Sequence, residues 1–304
     1  MFIDRLIEAI IAKKNPMVMS LNPQLELIPN NIKEDEFNSY GENPEGAAHA
    51  ILYFSQLLID SVCDLIPVIK LPISCYEQFG WLGVWAMEQI IAHAQSKDML
   101  VIIDGKRNDV NSYANTYLGA VKIGNETHHT FNADALTING YLGTNSIKKL
   151  LKVCQKYDKG IFVLVKTSGH SAYELQNRLL DNGKTVYEEM AKLCAQWGES
   201  LPGEYGYSGV GAVIKITRSR QLTELREQYP NMFFLISDYG EQGINGVDIT
   251  KAFNENGMGA MVDVSHPLMC AWQKTDNCKN YRGATRAAVI RIRDDITQRL
   301  NLQE

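Results

Sequence analysis

The stretch Val101–Asp109, V-I-I-D-G-K-R-N-D, gathers Asp104, Lys106, Arg107 and Asp109 directly behind three β-branched apolar residues. The V-I-I run reads as the core of a short buried strand, and Gly105 eases the turn that follows. Two carboxylates flanking an ammonium are costly to assemble in a half-buried place, because like charges must be held together. At about 5 Å and an effective dielectric of about 20, each pairwise term amounts to roughly 3 kcal/mol. Folding alone seldom calls for such a cluster at the end of a strand, whereas proton transfer and carbanion stabilisation do. Taken by itself, the nonamer reads equally well as a solvated charged turn.

The elements that would position these residues alternate along the whole chain. Short apolar runs read as strands at Met17–Leu21, Leu65–Lys70, Met99–Asp104, Ala135–Ile138, Gly160–Lys166, Val210–Ile214, Met232–Ile236 and Ala260–Val264. Segments with helical spacing lie between and around them, from the amphipathic N-terminus M-F-I-D-R-L-I-E-A-I-I to a closing helix over Ala284–Leu300. A long polar connection follows the first strand, and a polar insertion, K-I-G-N-E-T-H-H-T-F-N-A, follows a short helix near Ser112. Strand–helix alternation means a parallel sheet, and about eight units in 304 residues suit a single α/β domain, a (β/α)8 TIM barrel spanning residues 1–304. The alternative, a doubly wound open sheet, normally opens with G-x-G-x-x-G, which the chain lacks; G-x-x-x-x-G-K-[ST] and G-x-S-x-G are absent too.

In a barrel the chemistry sits at the C-terminal ends of the strands. Those ends carry Asn22, Lys70, Asp104, Lys106, Asp109, Asn139, Lys166 to Ser168, Lys215, Asp238 and His266. A formal charge of −5 gives no reason to expect a nucleic acid or a membrane surface as partner. The apolar runs are far too short to span a bilayer, and the acidic N-terminus is unlike a signal peptide. Six scattered Cys without a C-x-x-C pair suggest reduced thiols, a cytoplasmic setting and no zinc site. His128 and His129, the one adjacent His pair, sit in a polar segment that suits exposed or structural roles better than ligation.

At this point the residues resemble a known family, orotidine 5′-monophosphate decarboxylase in its longer bacterial form. Its D-x-K-x-x-D signature appears as Asp104-Gly105-Lys106-Arg107-Asn108-Asp109. The resemblance continues through I-K-L-P-I-S-C-Y-E-Q-F-G at 69–80, N-G-Y-L-G-T-N at 139–145, G-I-F-V-L-V-K-T-S at 160–168, N-G-K-T-V-Y-E at 182–188 and E-Y-G-Y-S-G-V-G-A-V at 204–213. It implies a barrel that forms a homodimer with sites at the subunit interface and uses no metal or organic cofactor. It also implies a small-molecule partner, a pyrimidine nucleotide or nucleoside, decarboxylated or proton-exchanged at C6. Lys70, Asp104, Lys106 and Asp109 fall on the family's alternating Lys-Asp-Lys-Asp array. Lys106 would protonate C6 as carbon dioxide leaves, and Asp104 would crowd the substrate carboxylate. Lys70 and Asp109, the latter reaching into the partner's site, would orient the network and the ribose. Ser168 would meet the pyrimidine edge, with Asn22, Gln242, His266 and Lys215 at the other substrate-binding positions.

The departures from the pattern converge on the ribose and the phosphate. The family's first strand usually ends G-L-D-P, its Asp holding a ribose hydroxyl; here Ser20-Leu21-Asn22-Pro23 stands there. Val110-Asn111-Ser112-Tyr113 replaces I-G-S-T after the signature. Ser237-Asp238-Tyr239-Gly240-Glu241-Gln242-Gly243-Ile244 replaces the phosphate-cradling P-G-x-G-A-Q-G-G, and Ser265-His266-Pro267 replaces a terminal S-R whose Arg clamps phosphate. An Arg fork exchanged for His loses a permanent charge and a bidentate contact. Lys215 and Arg218 offer partial compensation. The residues therefore also fit a diverged paralogue acting on an unphosphorylated or different nucleoside or base, or a non-catalytic binding protein that kept the barrel.

Overall fold

The computed structural model describes residues 1–215, 219–237, 239–240, 246–275 and 280–300. Its ten strands are β1 (Met17–Ser20), β2 (Val68–Pro72), β3 (Leu100–Asp104), β4 (Val121–Ile123), β5 (Glu126–His128), β6 (Ala135–Ile138), β7 (Gly160–Lys166), β8 (Val210–Lys215), β9 (Phe234–Ser237) and β10 (Ala260–Val264). Eight of them, all but β4 and β5, pair in parallel and in chain order, and β1 closes the barrel against β10. β4 and β5 form a separate antiparallel hairpin, which is what the polar insertion becomes.

The barrel strands read as largely apolar runs because both of their faces are covered. The period of two is still present beneath that uniformity. Met17, Met19, Ile69, Leu71, Val101, Ile103, Val262 and Val264 face the helices, whereas Val18, Val68, Ile102, Ala135, Phe162, Val213, Leu235 and Met261 meet inside the barrel. One inward position further along each strand come Ser20, Lys70, Asp104, Thr137, Leu164, Lys215, Ser237 and Asp263. The interior is thus an apolar layer topped by a mostly polar one, and the polar layer lies toward the strand C-termini.

The floor is closed by the N-terminal helix, Phe2–Lys13, whose Phe2, Ile3, Leu6, Ile7 and Ile10 join the inner apolar layer. Phe2 lies edge-on to Phe162, ring centroids 6.4 Å apart. A Cβ at Gly160 would sit 2.1 Å from the Phe2 ring, so only glycine lets that ring enter. The backbone N–H of Phe2 donates to Asp158 (2.6 Å), and Arg5 pairs with Asp134 at 2.9 Å, which fixes the helix across the barrel floor.

The outer layer includes helices Pro44–Val62, Gly80–Gln95, Val110–Tyr117, Gly143–Tyr157, Val186–Gly198, Ser219–Gln228 and Tyr281–Arg299. Asn43 caps the first of these through the N–H groups of Glu45 and Gly46. The long polar connection after β1 contains a further helix, Asn30–Tyr40, which periodicity does not reveal because Ile32 is its one fully buried side chain. It is held by packing on Pro44–Val62 rather than by an apolar stripe of its own. No helix among the described residues is long and apolar enough to cross a membrane.

Candidate active site

β3 ends at Asp104, which is in register with Thr137 of β6. The chain then leaves the sheet through Gly105, where a Cβ would meet Ile73 at 2.7 Å and the Tyr113 hydroxyl at 2.8 Å. Lys106 follows with φ +48°, a left-handed conformation uncommon for a residue bearing a Cβ. Its N–H donates to the Thr137 carbonyl at 3.2 Å, which holds the turn, and its ammonium donates to Oδ1 of Asp104. The same Oδ1 accepts from the Thr137 hydroxyl at 2.6 Å. The other oxygen, Oδ2, accepts from Lys70 Nζ at 3.2 Å.

Lys70 also donates to Oδ2 of Asp263, and Oδ1 of Asp263 accepts from the Ser20 hydroxyl at 2.6 Å. Asp263, Lys70, Asp104 and Lys106 therefore form one continuous chain of alternating charge, carried by β10, β2, β3 and the turn after β3. Burial disfavours the charge on Lys70, but the carboxylates of Asp263 and Asp104 outweigh it and push the ammonium above the ordinary lysine range. Burial likewise opposes ionisation of Asp104, and Lys70 and Lys106 overcome it, holding the carboxyl well below the usual range. Both groups stay ionised at neutral pH.

These residues line a cavity of about 280 Å³, together with Thr137, Leu164, Thr167, Val213, Lys215, Leu235 and Ser237. A neighbouring hollow of about 250 Å³ shares Asp104 and Lys106 with it and is otherwise bounded by residues of 72–77, Gly105 and Arg107. The two meet at the Asp104–Lys106 pair. A larger hollow of about 360 Å³ lies at the opposite end, beside the start of β8, but Glu199 is the one charged residue of its lining. The charged cavity, unlike this hollow, lies at the strand C-termini, the end where barrels carry their chemistry.

Of the residues singled out from the sequence, Lys70, Asp104, Lys106 and Lys215 come together in this cavity. Asp109 is exposed and stands outside the lining, at the start of helix Val110–Tyr117. Asn22 is half-buried and accepts from the Cys75 thiol at 2.6 Å. Ser168 is also half-buried and lies one residue past the lining, which takes Thr167 instead; Thr167 is pinned to Gln176 by bonds of 2.7 and 2.8 Å. His266 is exposed, at the first turn of a four-residue helix. Gln242, Arg218, Asp238 and Glu241 lie outside the described residues. Tyr113, at the position of the family's Thr, is a buried core residue stacked edge-on to Tyr117. Asp263 was not among the candidates, although a carboxylate inside the apolar run A-M-V-D-V, buried on both faces, is a signal the sequence does contain.

Comparison with known proteins adds descent to this geometry. Residues 56–260 match the family described as Orotidine 5′-phosphate decarboxylase / HUMPS family. The chain is 33% identical over 304 residues to the orotidine 5′-phosphate decarboxylase of Rhodopirellula baltica, covering 97% of this chain and 98% of that one. It is 31% identical to the enzyme of the same name from Clostridium acetobutylicum, over 99% and 100% of the two chains. Among solved structures, the OMP decarboxylase of Leishmania donovani superposes with a TM-score of 0.74 at 21% identity, over 100% of this chain and 99% of that one. Orotidine 5′-monophosphate decarboxylase of Plasmodium berghei does so with a TM-score of 0.74 at 17% identity, over 97% and 99%. At such identities these two structures speak for the barrel.

Proposed function

The chain belongs to the orotidine 5′-phosphate decarboxylase / HUMPS family, and from that premise we propose that it is a carboxy-lyase releasing carbon dioxide from C6 of a pyrimidine nucleotide. The observation that carries this reading is the Lys106–Asp104 pair at the junction of two hollows, backed by Lys70. When the C6–carboxylate bond breaks, its electron pair stays on C6. The Lys106 ammonium stabilises that charge and then transfers a proton from Nζ to C6, to be replaced from solvent. Asp104, fixed by Thr137 and two ammoniums, presents a carboxylate that does not yield its charge, and so it repels the substrate carboxylate but not the product. Only an interaction that differs between ground and transition states accelerates the step, and this one does. No metal or organic cofactor enters the scheme. In the same reading the protein is a homodimer in which the exposed Asp109 completes the partner's site.

A second reading, action on a nucleoside without phosphate, is favoured by the exposed His266, which stands outside the cavity at the position of the family's clamping Arg. One experiment addresses both readings. Purified protein should convert orotidine monophosphate to uridine monophosphate, and Lys106→Ala should lower kcat by roughly 10³-fold while the circular dichroism spectrum is unchanged. Turnover retained in that variant removes Lys106 from the mechanism. Calorimetric titration with uridine and uridine monophosphate then sorts the substrate. A charged phosphate contact is worth about 1.5–3 kcal/mol, so a nucleotide preference of a hundredfold defeats the second reading and one below about tenfold supports it.

A further inference from the structure

Asp263 is a charged side chain in a strand that is otherwise apolar and buried, and it is only 7% exposed. It lies beyond residues 56–260, the segment matched by the family model. Its two oxygens are both engaged, one by Ser20 and the other by Lys70. Lys70 in turn divides its ammonium between Asp263 and Asp104. Among the described residues, the charged groups facing Lys70 are Asp263 from β10, Asp104 from β3, Lys106 from the turn after β3 and Lys215 from β8, while β1 contributes the neutral Ser20.

We propose that Asp263 is a positioning residue of the reaction: from within the same chain it draws the Lys70 ammonium to itself and confines it to Oδ2 of Asp104, so that Oδ1 of Asp104 stays with Lys106 and Thr137. This rests on the decarboxylase reading above and adds to it a carboxylate of this chain. The argument is one of competition. Among the described residues, three ammoniums and two carboxylates line the cavity. Without Asp263, Lys70 and Lys106 are left to share a single carboxylate, and the more deeply buried Lys70 draws Asp104 toward itself because an unpaired buried ammonium is the costlier of the two. Lys106, the proton donor, then loses the partner that aims it. Binding of an anionic substrate does not suffer, because the cavity has become more positive. Ser20 supports the device by fixing the rotamer of Asp263, and Asn at position 263 would keep the shape while removing the charge.

The test compares the parent with Asp263→Asn and Ser20→Ala. With orotidine monophosphate, Asp263→Asn should lower kcat about tenfold or more without raising KM. Ser20→Ala should act in the same direction with a smaller effect, and the double variant should be no worse than Asp263→Asn. A second readout needs no turnover: nuclear magnetic resonance of protein carrying 13C at lysine Cε, with the Lys70 signal identified by its loss in Lys70→Met. In Asp263→Asn the Lys70 signal should begin to titrate about one to three pH units lower than in the parent. Should Asp263→Asn not fold, Ser20→Ala carries the same two measurements. An unmoved Lys70 signal, or a KM that rises while kcat holds, overturns the assignment. A parent protein that leaves orotidine monophosphate unchanged defeats the decarboxylase reading, and the Lys70 signal still decides whether Asp263 governs that ammonium.

Discussion

Lys70 and Asp104 hold opposite charges where burial disfavours both, and the pH dependence of their contributions follows from the direction of each shift. Lys70 is raised, so its contribution to stability is complete below the ordinary lysine range and is lost as pH climbs through its elevated folded value. Asp104 is depressed, so its contribution is present above the ordinary carboxylate range and is lost on acidification through its lowered folded value. Removing the shared cation exposes the coupling. Lys70→Met leaves Asp104 and Asp263 facing each other without the ammonium between them, and breaking a buried pair in this way costs about 3–5 kcal/mol at pH 7. The bared Asp104 carboxylate, freed of the Lys70 charge that lowers it, takes up a proton more readily than in the parent, so the deficit should shrink between pH 7 and pH 5. Urea denaturation at both values checks this; a deficit that is the same at pH 5 contradicts the electrostatic account and points to lost packing alone.

Between single residues and the whole barrel, the two layers inside the strands separate packing from the proposed chemistry. The floor is apolar and sealed by helix Phe2–Lys13, and the ceiling is polar. Deleting a fully buried aromatic ring generally costs about 3–5 kcal/mol, and Phe2→Ala should do so here, because the ring enters the space that Gly160 vacates. Ligand affinity measured by calorimetry at 25 °C should stay within about twofold of the parent, since the floor and the charged cavity lie at opposite ends of the strands. An affinity loss of tenfold or more would show that the layers are mechanically coupled. The eight barrel strands are legible in the sequence because each is a short run buried on both faces, whereas the exposed hairpin β4–β5 is not. The helix Asn30–Tyr40 is not, because packing from Pro44–Val62 supplies what its own polar sequence withholds.

At the scale of the whole molecule, the proposed homodimer assigns the exposed Asp109, at the start of helix Val110–Tyr117, to the partner's site. If Asp109 completes the neighbouring site, Lys106→Ala and Asp109→Asn are complementary defects. Mixing the two variants in equal amounts, with time for subunits to exchange, places one intact site in each hybrid dimer. Statistical pairing then restores about one quarter of parental activity. A mixture as inactive as its two components would show that each site is built from a single chain, and Asp263 would then stand as the second carboxylate without a partner's help.

What the sequence alone determined is whatever is local in the chain. A strand ending in Asp104-Gly105-Lys106 brings an acid and a base within reach over two residues, and eight strand–helix units of this spacing have few ways to close other than a parallel barrel. The proposed chemistry came instead from the family resemblance, of which the signature turn Asp104 to Asp109 is one part, since that turn alone reads equally well as a solvated charged turn. The tertiary structure decided which strand ends face one another. Ser20, Lys70 and Asp263 are far apart in the chain, and no periodicity within β10 says that its one carboxylate meets β2. That meeting depends on β1 lying between β2 and β10 when the barrel closes, so that the inward positions of all three reach one cavity. The same closure leaves Asn22 paired with Cys75 outside the lining, because a residue just past a strand's end is aimed by the loop it enters and not by the strand's alternation.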